Sequence, residues 1–542
     1  MEIYKKIDNE DFWSKTEQNY FQSSTKSHRK KFGQYFTPDP ISIFFANWLL
    51  IKPSSVVLDP AVGLGKFPWA IYRIYKSKFK QVDCFEIDAT ILSRFKALVN
   101  QLCQKKKIRA FYKDFLSHKI EKKYDAIIAN PPYIIYKLKR IAQPIMDYYS
   151  RLIGAALSPM TNIYNLFLLK SIECLKPLGR LAFIIPKEFL STDYGTPIKQ
   201  YLIKRGLSLR IILFDNSLKV FSEGITTSCL ILIENISSPT FYVKHIKNDI
   251  DWNKIVKNPD NLRLYSSVSY SEVNPSIKWH TLGKASKLKH NFKAKIGDFF
   301  RCSRGIATGA NAFFLINETK RRSLNLNKAY FKVCITKSNQ IQTPQLRKQE
   351  IRKLINSDQD VYLLDINIKD VNKDKNLASY IKEGTQQGVD KKYLPSQRKQ
   401  WYSMENMKCG LILIGTFFRE GIKVIKNQAH IPHLTCFHGL FLKSNQLVIS
   451  DLVLNAYCCY FLTNIAYELA LLEVRRLGDG LNKLEPRDVE KISCPDFFKY
   501  NQSSLKKMTM LFDRYCRDEI SKEALSKNML VICRTEGDKI VF

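Results

Sequence analysis

The sequence predicts an α/β fold, a parallel sheet with helices on both faces, followed by a second, strand-rich domain. Three observations carry this. From about residue 33 to 235, short apolar runs alternate with helical patterns, the alternation that builds a parallel sheet. The first run opens into a loop with two glycines, Asp59-Pro60-Ala61-Val62-Gly63-Leu64-Gly65. The fourth is stopped by Asn130-Pro131-Pro132-Tyr133. Two consecutive prolines remove two backbone donors and fix φ twice, so a strand must end there.

Residues 1–29 are polar and read as an N-terminal extension with a short helix. Residues 30–240 form the first domain. Strands are expected at Val56–Leu58, Gln81–Ile87, Ile108–Tyr112, Tyr124–Ala129, Arg180–Ile185, Leu207–Phe214 and Ser228–Ile233, with helices such as Thr90–Cys103 and Asn165–Cys174 between them. Residues 241–290 are polar, carry several turn signals and read as a linker. Residues 291–500 form a second domain of short strands and loops, and 501–542 a cationic helical segment. No internal repeat is present.

Composition narrows the partners. Hydrophobic (45%) and charged (25%) contents are ordinary for a globular chain, but 86 basic against 50 acidic residues give a net charge of +36. With 12% aromatics, that surplus favours a polyanion, most simply nucleic acid. An anionic membrane is the rival, yet no basic amphipathic segment stands alone and no apolar run approaches about 18 residues. The N-terminus lacks the apolar core of a signal peptide. Thirteen scattered cysteines without a Cys-x-x-Cys fit reduced thiols in the cytosol. His430, His433, Cys436 and His438 superficially resemble a metal knuckle, but no second ligand pair accompanies them. No metal is expected.

The chemistry-bearing residues gather where strands end, the edge at which open α/β sheets bind ligands. The loop glycines allow a tight turn and close approach to a ligand. Glu86 follows Gly65 by about 20 residues, the place of a ribose-binding acid. Pro68 stands where the third glycine of a dinucleotide fingerprint belongs, and Asp59 would repel a pyrophosphate. A sulfonium nucleoside without phosphates fits better. Asn130 offers a side-chain acceptor, and Pro131 a backbone carbonyl unlikely to join a ladder. Two acceptors beside the Tyr133 ring suit an exocyclic amine; the motif itself fits adenine, cytosine or glutamine nitrogen.

With these residues in view, the chain resembles the DNA adenine-N6 methyltransferases that carry the cofactor domain first and the recognition domain last, the methylases of type II restriction-modification systems. The resemblance covers the first domain nearly end to end. Gly33-Gln34-Tyr35-Phe36-Thr37-Pro38 matches the family's N-terminal motif, which implies that Tyr35 and Thr37 lie under the methionine part of S-adenosylmethionine. Asp59, Ala61, Gly63 and Gly65 fall in its glycine loop, although Val62 and Leu64 replace a frequent Cys and Ser. The likeness assigns Glu86 to the ribose, Asp114 and Phe115 to the cofactor's adenine, and Asn130, Pro131, Pro132, Tyr133 and Phe221 to the target base. It implies a Rossmann-like, S-adenosylmethionine-dependent catalytic domain, a base flipped out of duplex DNA between Tyr133 and Phe221, and transfer to adenine N6.

In the second domain, Arg304 to Asn311, Trp401-Tyr402 and Gly480 to Pro486 resemble signatures of the same group. Arg304, Thr308, Asn311, Arg398, Trp401, Arg419, Arg476 and Lys483 are the DNA-contact candidates, by phosphate or guanine-edge bonds. The expected role is protection of host DNA, by a cytoplasmic monomer, from a separate cognate endonuclease, because the cofactor motif begins too early for a fused nuclease. Two alternatives differ in substrate or class: methylation of RNA adenine or of a protein glutamine, and a non-catalytic DNA-binding specificity protein. The Gln34–Pro38 motif and the large C-terminal region argue against the first, and the unbroken cofactor motifs against the second.

Overall fold

The computed structural model describes residues 10–76, 78–101, 106–134, 143–214, 228–283, 289–404, 407–443, 448–476, 481–538 and 540–541. They divide into two compact units, Met1–Ala285 and Ser286–Phe542.

The first unit is built on a nine-stranded sheet. Its strands are β1 (Val56–Asp59), β2 (Gln81–Glu86), β3 (Ile108–Tyr112), β4 (Tyr124–Ala129), β5 (Leu175–Pro186), β6 (Leu207–Phe214), β7 (Ser228–Ser237), β8 (Thr240–Ile246) and β9 (Ser266–Ser269). Their order is β3-β2-β1-β4-β5-β7-β6-β8-β9. β1 to β5 pair in parallel, β7 runs antiparallel between β5 and β6, and β9 is antiparallel to β8. β1 and β4 are buried at every apolar position, as a central strand covered on both faces requires. The strand order reverses between β1 and β4. A crevice therefore opens beyond their carboxyl ends, at Asp59 and Asn130.

Three sequence readings of domain extent are corrected. Residues 241–283 are no linker: in β8, Phe241 and Val243 are buried in one core of the sheet, and Ile246 is buried in the other together with Trp252 and Ile255 of helix Asp249–Lys257. The alternation is real but short, and its other face is polar enough to read as loop. The N-terminal extension is likewise part of the unit, since helix Glu10–Ser23 buries Trp13 and Tyr20. At the other end, helices Gln502–Cys516 and Lys522–Thr535 are no appendage, because they complete the core of the second unit through Leu505, Met508, Phe512, Leu525 and Met529.

The second unit holds an antiparallel four-stranded sheet in the order Phe300–Arg304, Phe437–Leu442, Ile412–Gly415, Val424–Lys426. A three-stranded sheet centred on Tyr362–Leu364 has its own core. No helix among the described residues is long and apolar enough to cross a membrane.

Candidate active site

The glycine loop is shaped by its backbone. Val62 N–H donates to the Phe85 carbonyl of β2 (3.0 Å), and Gly65 N–H to Val62 (2.9 Å). Gly65 sits at φ +96° directly before helix Lys66–Tyr75, and a Cβ there would lie 2.4 Å from the Phe95 ring. Only glycine meets both demands. Asp59 is fully buried; its Oδ1 accepts the Ala61 amide (3.1 Å) while Oδ2 has no partner. Burial, and secondarily the nearby Glu86, drive its pKa well up.

Glu86 ends β2 and ties the loop to the next one. Its Oε2 accepts Gly63 N–H (2.9 Å), and its Oε1 accepts Ile87 and Asp88 N–H (2.9 and 3.0 Å). A carboxylate offers about four acceptor sites, so one remains for a hydroxyl donor in the crevice. Burial pushes its pKa up despite the three amides.

The N-terminal motif and the strand-ending motif are joined. Gly33, left-handed at the end of helix Lys26–Phe32, accepts Tyr133 N–H through its carbonyl (3.2 Å), and a Cβ there would meet Ile134 Cγ1 at 2.6 Å. Gln34 is clamped between the Tyr20 hydroxyl, which donates to its Oε1, and Asp88 Oδ2, which accepts from its Nε2, each at 2.7 Å. The next residues aim the amide. Asn130 Nδ2 donates to the Tyr35 carbonyl and to Thr37 Oγ1, both at 3.0 Å, leaving Oδ1 buried and unpartnered. Tyr133 is held by its hydroxyl, which donates to the Ile184 carbonyl (3.1 Å), and by stacking on Tyr35 at 5.0 Å.

Asp114 is exposed and caps Leu116 N–H (3.0 Å); Phe115 is buried and stacks on Phe167 at 5.3 Å. A residue that sequence reasoning missed holds their loop. Buried Lys170 donates to the carbonyls of Phe115 (2.6 Å), Leu116 (3.0 Å) and His118 (2.6 Å), and burial lowers its pKa.

One cavity collects most of the expected residues: Tyr35, Thr37, Ala61, Gly63, Glu86, Asp114, Phe115, Asn130 and Pro132 all line it. Asp59 and Gly65 stand behind the wall as supports. Phe221 falls outside the described residues. Ile87, Ile91 and Phe167 add apolar surface, and Glu17, Gln34 and Lys66 add polar groups that motif spacing did not single out. Orphaned acceptors, a two-glycine cradle and apolar plates suit a nucleoside with cationic groups, such as S-adenosylmethionine.

The DNA-contact candidates of the second unit behave differently. Thr308 is buried, hydrogen-bonded to Asn311 Oδ1 (2.5 Å) and to Ala310 N–H (3.1 Å). Arg398 donates to the Ala307 and Thr308 carbonyls (3.0 and 2.9 Å) and lies over Phe314. Trp401 packs on Phe313 and Tyr402. All three make contacts within their own unit, with Thr308 buried and Arg398 and Trp401 half-buried. Arg304, Asn311 and Arg419 are exposed, and Lys483 pairs with Glu485 at 2.7 Å. Arg476 pairs with Asn482 through the backbone; its side chain is outside the description. His433 and His438 are buried with ring nitrogens on the Leu434 and Leu484 carbonyls. Among the described residues no group of His, Cys, Asp or Glu is placed to hold a metal.

The sheet order and the crevice at its switch point define a Rossmann-like methyltransferase fold. The solved DrdV–DNA complex has a similar fold, with TM-score 0.52 at 12% identity, over 92% of this chain and 58% of that one. Residues 9–221 match the family model of the Eco57I restriction-modification methylases, and residues 278–531 that of the C-terminal domain of type II methyltransferase M.Eco57I. Type II methyltransferase M.AccI of Acinetobacter calcoaceticus is 33% identical over 97% of this chain and 94% of its own length. M.XamI of Xanthomonas campestris pv. amaranthicola is 21% identical over 85% of each. The chain belongs to the type II restriction-modification DNA methyltransferases.

Proposed function

We propose that this chain transfers a methyl group from S-adenosylmethionine to the N6 amine of an adenine extruded from a specific site in duplex DNA. The observation that carries the reading is the polarity of Asn130. Both amide hydrogens are consumed by Tyr35 and Thr37, so the buried Oδ1 can only accept. A ligand must bring the donor, as an exocyclic amine does.

The bound cofactor would supply an electrophilic methyl on a sulfonium. Glu86 would hold its ribose, Asp114 and Phe115 its adenine ring, and the Gly63–Gly65 backbone would close around it. Asn130 Oδ1 and the Pro131 carbonyl would accept the two hydrogens of the target amine. That localises a lone pair otherwise delocalised into the ring, aims it, and stabilises the positive charge that develops on nitrogen. No strong base is required. Tyr133, fixed at its hydroxyl, would present a rigid face to the flipped base, with Phe221 opposite.

In this reading the protein acts in the cytoplasm as a monomer and protects DNA from a separate cognate endonuclease; the basic excess and the relatives support DNA over RNA or protein. The test is transfer of label from S-adenosylmethionine to duplex DNA, total RNA and a release factor, followed by nucleoside analysis. N6-methyladenine in DNA is expected. Label on cytosine N4, or only on RNA or protein, would overturn the assignment.

A further inference from the structure

Helix Glu10–Ser23 turns Trp13, Glu17 and Tyr20 to one face, and the first and last of these are fully buried. Glu17 therefore points inward too, and it lines the same cavity as Glu86 and Asn130. It meets Lys66, the residue directly after Gly65 and the first of its helix, and Asp39, in the first turn of helix Asp39–Trp48. The Lys66 ammonium is paired with Asp39 and lies 3.5 Å from Glu17 Oε1. It also sits 5.1 Å from the Trp13 ring centroid and 5.8 Å from that of Trp69.

Two carboxylates share one ammonium here, leaving one negative charge over. Glu17 Oε1 is buried, with the Lys66 ammonium at ion-pair distance. Buried charge is tolerated when it is paired, and burial together with Asp39 pushes the Glu17 pKa up while Lys66 opposes this. A cation entering the cavity would complete the cluster. The elements that bear it are the glycine-loop helix, the helix after Thr37-Pro38 and the N-terminal helix.

We propose that Glu17 and Lys66 form a subsite for an α-amino-acid zwitterion, the amino-acid end of the cofactor. Glu17 accepts from the α-ammonium, Lys66 donates to the α-carboxylate, and Asp39 holds Lys66 in place. The inference rests on the reading of S-adenosylmethionine as cofactor. It makes the polar N-terminal segment part of the cofactor site.

The test is calorimetric binding by the full chain of three probes: S-adenosylmethionine, its decarboxylated form, which keeps the amine, and 5′-methylthioadenosine, which lacks the amino-acid end. Glu17→Gln should weaken the first two about tenfold or more and leave the third within about twofold, which also shows that the variant is folded. Lys66→Met should weaken S-adenosylmethionine more than the decarboxylated form. Equal losses for all three probes, or none, in Glu17→Gln would overturn the subsite. Wild-type protein that binds none of the three would overturn the cofactor reading beneath it.

Discussion

Two glycine-containing loops, one in each unit, spend their polar groups in opposite ways. Around β1 and β4, side chains are satisfied on one side only: Asn130 uses its amide hydrogens and keeps its carbonyl free, and Asp59 retains an unpartnered oxygen. In the loop from Gly305 to Gly309 the polar groups are consumed internally, with Arg398 capping two carbonyls and Thr308 closing on its neighbours. Leaving a buried polar group unmade costs about 1–3 kcal/mol. Such a cost persists where a ligand can relieve it. Internal satisfaction instead fixes the shape of the loop and leaves little for a ligand to relieve.

The comparison can be broken most sharply at Asn130. Asn130→Ala should lower methyl transfer by about 10³-fold, in the range seen on losing one positioned hydrogen-bonding group, with cofactor affinity within a few-fold of wild type. Single-turnover transfer beside calorimetry separates the two, and unchanged turnover would remove Asn130 from the mechanism. The next effect is pH-dependent and belongs to the second unit. Burial depresses the His433 pKa from 6.5 to about 4. The unfolded chain then takes up a proton first as pH falls, so stability is present above pH 6.5 and is lost between 6.5 and 4, by about 3 kcal/mol at most. Chemical denaturation across that window should show the slope, and His433→Gln should flatten it by about one proton.

Arg398→Ala should destabilise the second unit by about 2 kcal/mol, since the carbonyls of Ala307, Thr308 and Trp401 lose a charged donor. It should reduce DNA binding through the loop's shape, without altering cofactor affinity. A loss of DNA binding at undiminished stability would instead make Arg398 a direct contact. The smallest effect is expected at exposed Arg304. Arg304→Ala should weaken DNA binding modestly and lower the slope of log affinity against log salt by about one if it meets a phosphate. An unchanged slope would remove that contact.

Much of the first unit was legible because its signals are local. Seven expected strands are present, with β5 and β7 longer than anticipated. Illegible were partners brought from far away. Lys170 looks like a surface lysine on a helix until three carbonyls surround it. Glu17 lies in a segment whose polar neighbours in sequence give no sign of the buried face it shares with Trp13 and Tyr20. In the second unit, residue type does not reveal that Thr308, Arg398 and Trp401 make contacts within their own unit.

By itself the sequence determined where the chain must turn and stop. Pro131 and Pro132 end β4 for want of donors, Gly65 permits a left-handed turn, and Glu86 closes the next strand. Only the tertiary structure decided what those endings can do. The Asn130 amide is a pure acceptor because residues 95 and 93 positions earlier bind its hydrogens, and Glu17 reaches the cavity because Trp13 and Tyr20 bury its helix. Backbone constraints act on neighbours and survive in the sequence. The polarity and charge of a site depend on which groups meet across the fold, and packing alone sets that.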